Sequence, residues 1–190
     1  MRLKVLLFFL LAISLCTAQT SKKAKILAKP LESFSYAESR YIGIGGEKST
    51  LYDHFIKLSE VASADDLYDL AKNGSNALKL YSSRELMKRN DKRFPEIYKY
   101  YLQHPLVIKY QDGCVGRQDS IANHLKRELY SAKDIVRLRD SLLKAKKDHF
   151  SKIQLKSIYK NGYKNLSRKN LELYIKAIER TDAEQLSSLK

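Results

Sequence analysis

The chain has 190 residues, with 36 Lys and Arg against 21 Asp and Glu for a formal balance of +15, and 44% of it is apolar. With 7 Gly, 3 Pro and 2 Cys it is neither collagen-like nor low in complexity, and a disulfide-dense scaffold is excluded. Its length suits one domain or one short repeat array.

Residues 1–18 read MRLKVLLFFLLAISLCTA. Arg2 and Lys4 give a positive start, Val5 to Leu15 is a nearly unbroken apolar run, and Cys16 and Ala18 form a small-x-small ending, the layout of a secretory signal peptide. The alternative, a membrane anchor, needs roughly 20 apolar residues, more than this run supplies. Leu15 stands before Cys16 where bacterial lipid attachment has a small residue, which argues against a lipidated Cys16. The layout predicts an exported protein, periplasmic or secreted, cut before Gln19. Cleavage there removes two cations and no acid, leaving +13 and Cys114 as the sole cysteine.

Residues 19–31 are polar and basic, and Gly43, Gly45 and Gly46 punctuate the stretch after them. This composition predicts a mobile N-terminal lead-in over 19–48, before a single helical domain over 49–190. From Thr50 onward the period is helical: Leu51, Phe55, Leu58 and Ala62 share one face. Thr50 with Asp53, Ser63 with Asp66 and Ser131 with Asp134 match capping boxes, in which a hydroxyl and an acid satisfy free backbone N–H groups. Helices are also expected over 77–89 and over 94–102, where Pro95 suits a first turn.

Residues 104–117 break the period with Pro105, Gly113 and Gly116, predicting a loop with one strand-like stretch at Leu106 to Ile108. Beyond it Ile121, Leu125 and Leu129 line up. Ile135, Leu138, Leu142, Ala145, His149 and Ile153 continue at spacings of three and four, which sets Ile153 in the core. Gly162 fits a helix end, and Ser167 fits the cap of a last helix carrying Leu171, Tyr174, Ile175 and Ile178. Period-two patterning is almost absent, so the expected fold class is all-α.

Leu67 to Ser83 resembles one HEAT-type helical hairpin. Leu67 and Leu70 lie on the first helix, Asn73 and Asn76 in the turn, Leu78-Lys79 where Val-Arg is usual, and Ser82 and Ser83 are the small residues. Ile97, Tyr101, Leu102 and Pro105-Leu106-Val107 echo the pattern more loosely, extending the resemblance over residues 50–110. It implies a HEAT-like α-solenoid, and without it the period implies an irregular helical bundle. In either case short helices must stack to bury their apolar faces.

Of His54, His104, His124 and His149, no two lie at a metal-ligand spacing, and no Cys-x-x-Cys accompanies them, so neither metal nor cofactor is predicted. Gly43-x-Gly45-Gly46 lacks the Lys-Ser/Thr of a phosphate loop. Cys114, after Asp112-Gly113, is a candidate reactive thiol with His104 or His124 as base. A buried structural cysteine is the alternative. A small exported hydrolase using Cys114 or a carboxylate is therefore the second functional class.

The basic excess carries the first class. Residues 133–180 hold 14 Lys and Arg against 5 acids. Lys152, Lys156, Lys160 and Lys164 recur every four residues, interleaved with Tyr159, Tyr163 and Tyr174. Such a stripe attracts polyanions when it is more than a solvated face. The expected function is a secreted, non-enzymatic binding or scaffold protein. Its basic helical part, 119–180, would engage a protein or a polyanion such as an acidic glycan or an anionic lipid surface. Nucleic acid is disfavoured, because export removes the target and no base-reading motif is present. N-terminal sequencing of the exported product should find Gln19 or a near neighbour first; an intact Met1 would overturn the export reading.

Overall fold

A computed structural model describes residues 20–145 and 148–188, so the leader-like segment 1–18, Cys16 included, lies outside the described residues. The described chain runs α1 (Lys22–Ala28), a 3-10 turn (Lys29–Leu31), β1 (Tyr36–Ile42), β2 (Glu47–Lys48), α2 (Thr50–Val61), α3 (Ala64–Asn73) and α4 (Asn76–Lys88). It continues through α5 (Phe94–Gln103), β3 (Val107–Gly113), β4 (Val115–Ser120), α6 (Ile121–Lys144), α7 (His149–Lys160) and α8 (Arg168–Ser188). The strands form one mixed sheet in the order β2-β1-β3-β4. The expected all-α class, solenoid or bundle, therefore gives way to an α/β fold.

The sheet is built around a non-local pair. β1 runs parallel to β3 with Tyr36 opposite Lys109 and Ala37 opposite Tyr110, while β2 and β4 flank them antiparallel. Along β3, Ile108 and Tyr110 are buried and Val107 and Lys109 exposed, the alternation a one-sided strand requires. β1 shows no such pattern, burying only Ala37. It is held by the Tyr81 hydroxyl of α4, which accepts from the Glu38 N–H at 2.6 Å and donates to the Glu38 carbonyl at 2.7 Å. The stretch expected as a mobile lead-in over 19–48 thus contributes to the core, with Ala24, Leu31 and Ala37 fully buried. Thr20 and Ser21 bond to Asp69 and Asp66 on α3, which fixes the start of α1.

The helix signals hold in part. Ser63 and Asp66 form the reciprocal capping box of α3. α2 is instead capped by Ser49, which accepts from the Tyr52 N–H, and the Ser131–Asp134 pair falls inside the 24-residue α6. Gly74 closes α3, and a Cβ there would stand 2.6 Å from the Leu70 carbonyl oxygen, so the α3–α4 turn requires glycine. α3 and α4 pack as a hairpin, but α4 also packs on β1 and α6, so the sheet interrupts any helical stack.

The period expected to run unbroken from Ile135 to Ile153 is broken. α6 ends at Lys144, and Asp148 opens α7 by accepting from the Ser151 N–H at 2.7 Å. The new helix has its own phase. Ile153 is consequently 53% exposed rather than core, while Leu138, still on α6, is 45% exposed because it falls off the face that buries Leu129, Ala132 and Val136.

One buried cation holds the segment after α7. Arg139 on α6 is 7% exposed, and its Nη1 donates to the carbonyls of Tyr163, Lys164 and Leu166 at 2.7, 3.1 and 2.8 Å. Asn90, in the left-handed region at φ 62°, grips the same segment from the other side through the Asn165 carbonyl and the Ser167 N–H, both at 2.8 Å. Arg139→Leu leaves these carbonyls without their shared donor and should cost about 3 kcal/mol in urea unfolding. Unchanged stability would show that the clamp is dispensable.

Candidate functional site

The sheet face, α4, α6 and the segment after α7 enclose a cleft of about 540 Å³. Its lining brings Arg40 from β1, Arg84 and Lys88 from α4, Arg117 from β4, and Arg127 from α6 around one space, with Tyr52, Tyr110 and Tyr163 as aromatic walls. Asp112 and Glu128 are the only carboxylates among these lining residues, so five cations face two acids.

Glu128 is the hub. It accepts from Arg84 Nη2 at 2.8 Å, lies 3.5 Å from Lys88 Nζ, and accepts the Tyr163 hydroxyl proton. The side chains of Arg84, Lys88 and Glu128 are only 16%, 8% and 15% exposed. Burial alone would push the Glu128 carboxyl up, but Arg84 and Lys88 beside it hold it down at about 2. Burial likewise lowers the Lys88 ammonium, while Glu128 works against that loss. Burial and the neighbouring Glu128 charge push the Tyr163 hydroxyl up, which keeps it a donor. Gly162, at φ +88°, lets the chain pass Lys88, where a Cβ would come within 3.1 Å of its Cδ.

The remaining cations are arranged more openly. Arg40 stacks over Tyr52 at 5.4 Å and reaches Asn161 at 3.4 Å. Arg127 pairs with Asp119 at 2.6 Å. Arg117 is exposed and makes no ion pair among the described residues.

His124 adds an unmet donor. Its ring packs 5.2 Å from Tyr110, and its Nδ1 lies 3.3 Å from Arg127 Nη2. A guanidinium only donates, so Nδ1 accepts and the proton of the neutral ring sits on Nε2. That N–H is buried with no hydrogen-bond partner among the described residues. Burial first, and the Arg127 charge second, lower the imidazole to about 4. Neither His124 nor Glu128 is therefore matched to neutral pH as a general base. The cleft is equipped to hold an anion: it offers charge, directed N–H donors and ring faces.

Of the residues singled out from sequence, His124, Tyr163 and Asp112 line this cleft, and Cys114, His104 and the lysine stripe lie elsewhere. Cys114 is exposed at the tip of the β3–β4 hairpin, and no hydrogen bond joins it to His104 or His124. His104 stacks on Tyr100 at 4.7 Å. Lys152, Lys156 and Lys160 are exposed on α7, and Lys164, on the following turn, lies 5.9 Å over the Tyr159 ring. Among the described residues no group of three His, Cys, Asp or Glu gathers to hold a metal. Arg84, Lys88 and Glu128 did leave a trace in the sequence: they occupy helix positions that the spacing from Tyr81 and Leu125 allots to the interior.

No family model, curated protein or solved structure matches this chain.

Acid should loosen the fold in two steps. His124, ordinarily near 6.5, is held at about 4, so stability present above 6.5 is lost as pH falls through 4. Glu128, ordinarily near 4.5, is held at about 2, adding a second loss as pH falls from 4.5 through 2. His124→Gln should flatten the first limb only. Glu128→Gln should weaken the second, which Asp66, Asp91 and Asp119 share because they too are held below the usual carboxylate range, and cost about 3 kcal/mol at neutral pH, since Arg84 and Lys88 lose their counterion. Urea denaturation across pH reads both limbs, and unchanged limbs in both variants would sink the assignment.

Proposed function

We propose that this is an exported, non-enzymatic binding protein whose cleft takes a small anion carrying carboxylate or phosphate groups. The observation that carries the reading is the charge imbalance of the cleft. Glu128 is already satisfied by Arg84, Lys88 and Tyr163, Arg127 is paired with Asp119, and Asp112 alone opposes Arg40 and Arg117 from within the lining. A concave, partly desolvated site with surplus guanidinium groups favours a planar or tetrahedral anion through charge-assisted, bidentate hydrogen bonds. The buried His124 N–H supplies one further directed donor, and Tyr52 and Tyr110 offer rings for an uncharged part of the ligand. A volume of about 540 Å³ falls within the roughly 300–1,000 Å³ of small-molecule sites. Export in this proposal rests on the leader-like layout of residues 1–18.

For the alternative, a hydrolase using Cys114 or a carboxylate, Cys114 is exposed and no hydrogen bond joins it to a histidine among the described residues. Isothermal titration with citrate and with pyrophosphate tests the preferred reading. At least one should bind, and Arg40→Gln and Arg117→Gln should each weaken that binding about tenfold, the scale of one lost charge-assisted contact. Affinity should also fall as salt rises. Failure of both probes to bind, or equal binding by both variants and the parent, overturns the proposal.

A further inference from the structure

α7 presents its apolar side chains in an unexpected direction. Among its residues Ser151 and Ile158 are buried, whereas Phe150 is 66% exposed and Ile153 is 53% exposed. Phe150 and Ile153 stand three residues apart and so share one side of the helix. Lys152, Lys156 and Lys160 occupy the adjoining exposed side. At the end of α6, just before the break, Leu143 is 48% exposed and Lys144 is exposed beside it. A helix of 12 residues gains its stability mainly by burying an apolar face, yet here its largest apolar side chain points outward. None of these residues lines the anion-binding cleft, so the surface stands apart from it.

We propose that α7 docks the protein on an anionic lipid surface, with Phe150 and Ile153 entering the headgroup region and Lys152, Lys156 and Lys160 lying along the charged plane. The combination selects this occupant. A soluble polyanion such as an acidic glycan meets the lysines by charge alone and gives Phe150 and Ile153 nothing to bury against. A second copy of this chain, docked face to face about a two-fold axis, brings the same lysines against themselves, and like charges repel. A negatively charged membrane offers apolar depth and counter-charge in one plane, and basic amphipathic helices with Phe on the apolar face bind such interfaces. Among the described residues no helix is long and apolar enough to cross a membrane.

The chain contains no Trp, which makes a single reporter clean. Phe150→Trp in the full mature chain should show a blue-shifted emission on adding vesicles of phosphatidylglycerol in phosphatidylcholine, and none with phosphatidylcholine alone. In co-sedimentation, Lys152→Gln, Lys156→Gln and Lys160→Gln together should weaken vesicle binding about a hundredfold. Phe150→Ser with Ile153→Ser should weaken it at least about tenfold while leaving heparin binding untouched. Circular dichroism should be unchanged in both variants, because the altered side chains lie outside the core. Three results would each overturn the proposal: no blue shift, full vesicle binding by the Phe150/Ile153 variant, or a parent dimer in sedimentation velocity that this variant dissolves.

Discussion

Everything around the cleft depends on how one carboxylate is kept ionised indoors. A buried Glu128 without partners would take up a proton, and a buried Arg84 or Lys88 without Glu128 would strain against desolvation. Together the three form a cluster whose net charge is +1, and Tyr163 caps the remaining acceptor capacity of the carboxylate. The cluster ties α4 to α6 and both to the segment after α7, which three elements of largely aliphatic packing would not orient so specifically. It also leaves the cleft positive, because the acid is consumed internally while Arg40 and Arg117 are not.

The Tyr163 contribution depends in turn on a chain of supports farther out. Arg139 and Asn90 hold the carbonyls and N–H groups of the segment from Tyr163 to Ser167 from opposite sides. Tyr98 and Lys126 both reach Asp182, each at 2.6 Å, and Tyr174 donates to the Asp91 carbonyl at 2.9 Å, so α8 braces α5 and α6. The cleft is thus lined by side chains whose own backbones are clamped, the condition for holding charges at fixed spacing.

Much of the helical framework was legible in the residues, because local signals decide it. The Leu51–Phe55–Leu58 face, the Ser63–Asp66 box, Pro95 in a first turn and Gly162 after α7 all act within one or two turns of themselves. Of the sheet only the start of β3 was legible, as the strand-like stretch at Leu106 to Ile108. β1 reads Tyr-Ala-Glu-Ser-Arg-Tyr-Ile with no alternation, and its ladder is supplied by β3, far along the chain. The cleft escaped for a related reason: Arg84, Lys88 and Glu128 are polar residues at interior positions, which a hydrophobic period cannot score. The phase change at Asp148 misled most directly, since spacings counted across it set Ile153 inside when it faces out.

The parallel pairing of β1 with β3 also orders the assembly in time. Residues 36–42 find their partners at 109–113 only after four intervening helices. The ladder cannot exist until residue 113 has been made, and closing so long a loop is entropically slow compared with forming a helix. Until then β1 must wait with a bare edge, shielded on its other side only by the two residues of β2. The local α3–α4 hairpin needs no such closure, so helical pairing can precede the sheet to which the cleft's strand belongs.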